Sequence, residues 1–168
     1  MFDSWEWLIG TYWIVPEGNL TAPLFTSSDG QPTWLSDQTV WQIAGYANGY
    51  LWGDAAVRIV PRTKSDEESI PVAQRLTASI TPEGSVHMTF IPLNSAGDGS
   101  IGIGNMRWRD GAWMAEMQMS APLGSDRRVL HWAYMVQCKP DDRAWNQLPG
   151  TNQSLPDFMQ AAGFTVTT

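Results

Sequence analysis

The sequence predicts an all-β protein, a single antiparallel up-and-down β-barrel of about eight strands with a short C-terminal helix. Three observations predict it: no long segment has the helical period, apolar and polar residues alternate over short runs, and strong turn signals separate those runs. The length of 168 residues suits one domain over 1–168, because a chain of this size can bury a sizeable core without disulfides.

The strands are bounded by recognisable turns. Asn48-Gly49 and Asp110-Gly111 have the positive-φ chemistry of two-residue hairpin turns, and 81–84 (TPEG) fits a longer hairpin closed by a glycine bulge. The strands predicted from these boundaries are 8–15, 38–47, 50–60, 74–81, 85–92, 100–109, 112–120 and 129–138.

Three further stretches lie outside these strands. Segments 16–37 and 61–73 are rich in Pro, Ser, Asp and Gly, so we expect long loops there, and loops of that length often cover a barrel mouth. Residues 154–164 (SLPDFMQAAGF) predict one short helix with Ser154 as its N-cap.

Charge and cysteine content narrow the class of protein. The formal charge of -7 and the pI near 4.6 disfavour nucleic acids and anionic membranes as partners, because both need clustered Lys and Arg. Every apolar run is far shorter than the roughly 20 residues of a membrane span. Cys138 has no partner for an internal disulfide, and the N-terminus lacks the regions of a signal peptide, so we expect a cytoplasmic protein.

Cofactor and metal motifs are missing. Residues 97–104 (GDGSIGIG) lack the Lys and the strand-to-helix setting of a phosphate loop. His87 and His131 stand on separate predicted strands, and Cys138 adds no close spacing, so we expect no metal. Cys138 and His131 point to opposite faces of one strand, which excludes a thiol–imidazole pair. We therefore expect no cofactor. The type of catalysis that these residues still allow is acid–base catalysis.

Ten Trp and eight Met are the compositional anomaly. Trp is large for a small core and Met fills irregular space, so together they suggest a cavity for a planar or hydrophobic guest. The alternative is a densely packed, Trp-rich core with a few rings at the surface.

Two hairpins can be sorted into faces by alternation. Across 74–92, the apolar face predicted to point inward is Leu76, Ala78, Ile80, Val86, Met88 and Phe90. Across 100–120, Trp108 opposes Trp113, and Met106 and Met117 share that side with two glycines, so we expect this side inward as well. Glu116 lies on the other side and is a reserve acid.

The hairpin 38–60 leaves two alternatives open. Pairing across its turn puts Trp41, Trp52, Asp54 and Arg58 on one side. If that side faces inward, the indoles and Arg58 line a pocket and Asp54 is a candidate general acid or base. If it faces outward, the indoles form an apolar patch that a symmetric homodimer would cover.

The last strand has the same ambiguity. Either His131 faces inward with Met135, or Trp132 and Tyr134 do. An inward His131 could move a proton near neutral pH, and an inward Tyr134 or Tyr12 could hydrogen-bond a carbonyl or phenol.

The first strand carries a family resemblance. In 7–16 (WLIGTYWIVP), Gly10 is followed by Tyr12 and then Trp13, which resembles the Gly-x-Trp signature of lipocalins and the wider calycin group. Tyr12 stands where that signature has Trp, and Trp13 comes one residue late. The resemblance implies a barrel that encloses a small hydrophobic molecule. Similar bacterial barrels include cofactor-free decarboxylases, lyases and cyclases.

We therefore expect a cofactor-independent isomerase, cyclase or lyase acting on a small aromatic or polyene molecule held in the barrel. The alternative is a non-catalytic intracellular carrier or sensor of such a ligand. The expected catalytic residues are Asp54, His131, Tyr134 and Glu116. The expected ligand-binding residues are Tyr12, Trp41, Trp52, Arg58, Met106, Trp108, Trp113, Met117 and Trp132.

Overall fold

A computed structural model describes residues 5–18, 20–28, 30–61, 69–94 and 99–166 of the chain. It is a closed antiparallel β-barrel, as predicted. A 3-10 turn at Glu6–Leu8 comes before the first strand. The strands are β1 Tyr12–Ile14, β2 Thr21–Thr26, β3 Thr33–Ala47, β4 Tyr50–Pro61, β5 Val72–Ile80, β6 Ser85–Pro92, β7 Ser100–Arg109, β8 Ala112–Pro122 and β9 Arg127–Cys138. Two short helices follow, α1 Arg143–Asn146 and α2 Leu155–Ala161.

The barrel closes because β1 and β2 occupy one position in the wall. Both short strands pair with β3 on one side and with β9 on the other. The remaining strands pair with their sequence neighbours from β3 round to β9. Every strand therefore has two hydrogen-bonded neighbours, and the described sheet leaves no edge exposed.

Most strand boundaries agree with the prediction, and the N-terminal third differs. The stretch 16–37, expected to be a loop, contains β2 and the start of β3. Its Pro and Ser content resembles that of a loop, but closure of the barrel requires paired backbone there. In the stretch 61–73, β5 begins at Val72, and 62–68 lie outside the described residues.

Turn chemistry and the C-terminal cap are confirmed. Asn48 and Asp110 have positive φ angles of 51° and 53°, as their hairpin turns require. The Ser154 hydroxyl accepts a hydrogen bond from the Asp157 N–H at 3.1 Å and caps α2.

A β-bulge at Ala44 corrects the expected pairing of β3 with β4. The register shifts there, so Trp41 lies opposite Ala55 and not on the face of Trp52. Trp41 is buried inside the barrel, whereas Trp52 is outside with 43% of its surface exposed. The face carrying both indoles, on which the homodimer prediction depended, does not form.

The hydrophobic residues form two main cores on opposite sides of the barrel wall. Inside, the predicted inward face of β5 and β6 is buried together with Trp13, Trp41 and Met117. Outside, the C-terminal segment packs Trp145 and Phe158 against the wall. Trp108 lies opposite Trp113 as predicted, but it is not enclosed by the barrel, since 62% of its surface is exposed.

Candidate functional site

The barrel interior is packed at one end and hollow at the other. At the end with the hairpin turns, Trp5 caps the barrel and donates its indole N–H to the Thr81 carbonyl at 3.0 Å. The space between the side chains there is only about 10 Å³. At the opposite end lies a cavity of about 590 Å³, whose apolar lining includes Leu35, Val57, Ile59, Phe90, Met119 and Val129.

A carboxylate and an imidazole line this apolar cavity. His131 Nε2 lies 2.6 Å from Asp37 Oδ2, and the two side chains are 9% and 2% exposed. The Nε2–H direction is not aligned with Oδ2, so this is a close polar contact and not a linear hydrogen bond, and it becomes an ion pair only when His131 is protonated. Thr39 Oγ1 donates a hydrogen bond of 3.0 Å to Asp37 Oδ1. Asp37 is thus held between Thr39 and His131.

The break between β1 and β2 explains how Asp37 and His131 meet. Asp37 belongs to β3 and His131 to β9. Elsewhere in the wall these two strands are separated by β1 or by β2, each of which pairs with both. β1 ends at Ile14 and β2 begins at Thr21, so no strand lies between β3 and β9 at the level of Asp37. The Asp37–His131 pair spans the wall at this gap.

The arrangement suits proton transfer. His131 Nδ1 has no hydrogen-bond partner among the described residues. When the imidazole is neutral and carries its proton on Nε2, beside the Asp37 carboxylate, Nδ1 is the nitrogen that can accept a proton. Burial of two ionisable side chains among apolar ones is costly, so this pair is not explained by packing alone.

Sequence reasoning proposed His131 but missed Asp37 and Thr39. Asp37 fell at the end of a segment interpreted as a loop, so it was assigned no face. Thr39 fell on a strand whose face was left open. The signal that could have found them is alternation: Asp37, Thr39 and Trp41 are spaced by two, and all three face the barrel interior.

The other predicted catalytic residues lie on the outer surface of the barrel. Asp54 forms an ion pair with Arg75 at 2.6 Å, and Glu116 forms one with Arg107 at 2.7 Å. The Tyr134 hydroxyl donates to the Glu17 carboxylate, and this bond, together with partial burial, raises the pKa of Tyr134. The structure therefore does not bring them together with His131.

The nine predicted ligand-binding residues do not line this cavity either. Trp41, Met106 and Met117 are inside the barrel but in its packed half, and Trp113 is half-buried against Trp5. Elsewhere, Tyr12 and Arg58 are buried in the outer wall, and Trp52, Trp108 and Trp132 are exposed. The cavity is lined mainly by aliphatic side chains, which are individually less conspicuous in the sequence.

Cys138 belongs to the outer core. Burial raises the pKa of its thiol to about 12, and the nearby Asp142 carboxylate adds to the rise. In the described part of the chain, no three His, Cys, Asp or Glu side chains are grouped to hold a metal ion. None of the described helices combines the length and apolar character needed to span a bilayer.

Comparison of the chain with known protein families, with curated proteins and with solved structures gave no match.

Proposed function

We propose that this protein is an enzyme that binds a small, mainly apolar molecule in the barrel cavity and moves a proton on it with His131. The observation that carries the proposal is the Asp37–His131 pair, which lines an otherwise mainly apolar cavity of about 590 Å³. A cavity of this size accommodates a guest of two or three fused rings or a short polyene. The resemblance of 7–16 to the calycin signature agrees with such a guest.

The chemistry follows from the two side chains. His131 Nδ1 takes a proton from an acidic carbon or a hydroxyl group of the guest and becomes imidazolium. The Asp37 carboxylate stabilises the imidazolium, and Thr39 holds that carboxylate in place. The imidazolium returns the proton to another atom of the guest in an isomerisation or cyclisation, or to the leaving group in an elimination.

The alternative is a carrier that holds the same guest unchanged. A carrier has no use for a buried ionisable pair, and an aliphatic pair of similar volume would cost less to bury. The position of His131 beside Asp37 therefore favours the enzyme. A cytoplasmic location belongs to the same proposal, because the net charge is -7 and the one cysteine is a free thiol.

Binding is tested first with a neutral fluorescent compound, N-phenyl-1-naphthylamine. We expect its emission to rise on titration with the wild type, and Ala121→Phe to weaken binding at least about tenfold by filling the cavity. Gln118→Phe adds the same ring to the exposed outer face of β8 and is the matched control. Equal affinity in both variants, or no binding by the wild type, would contradict a guest in this cavity.

Proton transfer is tested with 2-tetralone, an apolar ketone with acidic C–H bonds. In D₂O, the wild type should speed deuterium incorporation beside the carbonyl, as followed by NMR, relative to free imidazole at equal concentration. We expect His131→Gln to abolish this gain. His87→Gln, at the exposed histidine on the outer face of β6, should keep it. Binding of the ketone without faster exchange would favour the carrier.

A further inference from the structure

We infer that the guest of this cavity carries a hydrogen-bonding group at each of two opposite ends, with an apolar body between them. The inference deepens the proposed function, since it assumes that the cavity binds a guest near His131. It rests on Gln74 and Ser100, which also line the cavity.

Strand order places Gln74 and Ser100 across the barrel from Asp37 and His131. The closed wall has eight positions, with β1 and β2 sharing one. Counting around it, β5 lies four positions from β9, and β7 lies four positions from β3. Gln74 on β5 therefore faces the wall that carries His131, and Ser100 on β7 faces the wall that carries Asp37.

Neither Gln74 nor Ser100 has a side-chain hydrogen-bond partner among the described residues. Ser100 is 8% exposed and Gln74 is half-buried, and neither side chain is among those whose polar atoms are fully buried without a partner, so their polar atoms open onto the cavity. Polar groups in a protein interior normally pair with protein groups or with water, and a guest that displaces water from the cavity can take over those hydrogen bonds. These two groups are thus available to a guest.

The chemistry of the two walls defines the class of guest. Near His131 and Asp37, the guest carries the group whose proton moves, which is a hydroxyl or a C–H next to a carbonyl. Near Gln74 and Ser100, the guest carries an uncharged hydroxyl or carbonyl, because the neutral Gln74 amide and the Ser100 hydroxyl provide no counter-charge for an ionised group. The space between is lined by Phe90, Val57 and Met119, which suit an aromatic or polyene body.

The test uses three compounds with one ring system and different polar ends: naphthalene, 2-naphthol and 2,6-dihydroxynaphthalene. By fluorescence titration, we expect the wild type to bind the dihydroxy compound about three- to tenfold more tightly than 2-naphthol, as one added neutral hydrogen bond allows. The double variant Gln74→Leu/Ser100→Ala should lose this preference and keep its affinity for 2-naphthol.

Controls separate this inference from the proposed function. Thr77→Leu changes an exposed outer residue of β5 and should keep the preference. Ser100→Ala alone, a mild change, should reduce it. Equal affinities of the wild type for 2-naphthol and the dihydroxy compound, or an unchanged preference in the double variant, would overturn the inference while the cavity still binds. Failure of all three compounds to bind would overturn the inference together with the proposed function.

Discussion

At the residue scale, alternation along β3 gives neighbouring side chains different tasks. Asp37 and Thr39 point into the cavity, while Gln38 between them is buried in the outer wall. Among the described residues, the Thr39 hydroxyl is the one side-chain group that donates a hydrogen bond to Asp37. It therefore fixes the carboxylate that faces His131. Removal of this one hydroxyl should therefore have a measurable effect on the free energy of unfolding.

Replacement of Thr39 tests that hydrogen bond. Thr39→Val keeps the shape but leaves Asp37 Oδ1 without its donor, so we expect the free energy of unfolding to fall by about 1.5–3 kcal/mol. Thr39→Ser keeps the hydroxyl and should recover most of the loss. Urea denaturation measures both variants. A valine variant as stable as the wild type would show that the hydroxyl does not support the carboxylate.

Cys138 gives a prediction on pH. Its thiol pKa rises from 9.0 to about 12 on folding, because burial disfavours the thiolate. Between these values the folded state binds more protons than the unfolded state, so the stability from Cys138 is complete below pH 9. It is lost at up to about 1.4 kcal/mol per pH unit as the pH rises towards 12.

The comparison with Cys138→Ala isolates this effect from other groups that titrate at high pH. We expect the difference in unfolding free energy between wild type and variant to change in favour of the variant from pH 9 to 11. The native thiol should also resist Ellman's reagent at pH 8 and react after unfolding in urea. A constant difference across this pH range, or rapid native labelling, would be inconsistent with the burial of Cys138.

At the element scale, the side chain of Gln38 replaces backbone pairing where the first strand is broken. Its Nε2 donates to the carbonyls of Val15 at 3.1 Å and Pro149 at 2.8 Å. Its Oε1 accepts from the N–H groups of Val15 at 3.2 Å and Thr39 at 3.0 Å. Arg58 adds a bond of 3.1 Å to the Gly150 carbonyl. The bond to Pro149 joins the C-terminal segment to β3, which carries Asp37, and the bond to Gly150 joins it to β4.

Gln38→Leu removes all of these side-chain bonds at once. The buried Val15 backbone groups then lose their partner, and we expect a loss of about 2–5 kcal/mol in unfolding free energy. Gln118→Leu, on the exposed face of β8, should change it by no more than about 0.5 kcal/mol. Thermal unfolding followed by circular dichroism compares them, and similar midpoints for both variants would count against the bridging role.

At the scale of the whole molecule, the side chains that stabilise the fold and those that line the cavity lie in different parts of the barrel. The packed half of the barrel and the outer core around Phe158 hold most of the fully buried side chains. The cavity half is lined by side chains such as Met119 that are only partly packed against the core. A cavity can persist there because the closed sheet supports itself around it.

Two truncations compare these regions. Phe158→Ala removes a fully buried ring from the outer core and should cost about 3–5 kcal/mol. Met119→Ala only enlarges an existing cavity and should cost less than about 2 kcal/mol, while changing the affinity for N-phenyl-1-naphthylamine. Urea denaturation gives both values. The reverse order of costs would mean that the cavity half carries more of the stability than its packing indicates.

Local chemistry in the sequence was sufficient to predict the barrel. Turn residues with positive φ, alternation over short runs and one N-cap serine depend on neighbouring residues alone, so the hairpins at 48–49, 81–84 and 110–111 and the helix after Ser154 were predicted correctly. For the same reason the inward face of the β5–β6 hairpin was predicted correctly, because its turn sets its register.

Only the tertiary structure decided where the cavity and the Asp37–His131 pair lie. The bulge at Ala44 reverses one face of the β3–β4 hairpin, and beside it the Trp52 ring packs on Gly45 across the strands. The pairing of β2 depends on closure between β3 and β9, which lie far apart in the sequence. Asp37 meets His131 only because that closure leaves a gap between β1 and β2. Long-range geometry of this kind has no local signature, since it arises from the packing of the whole barrel.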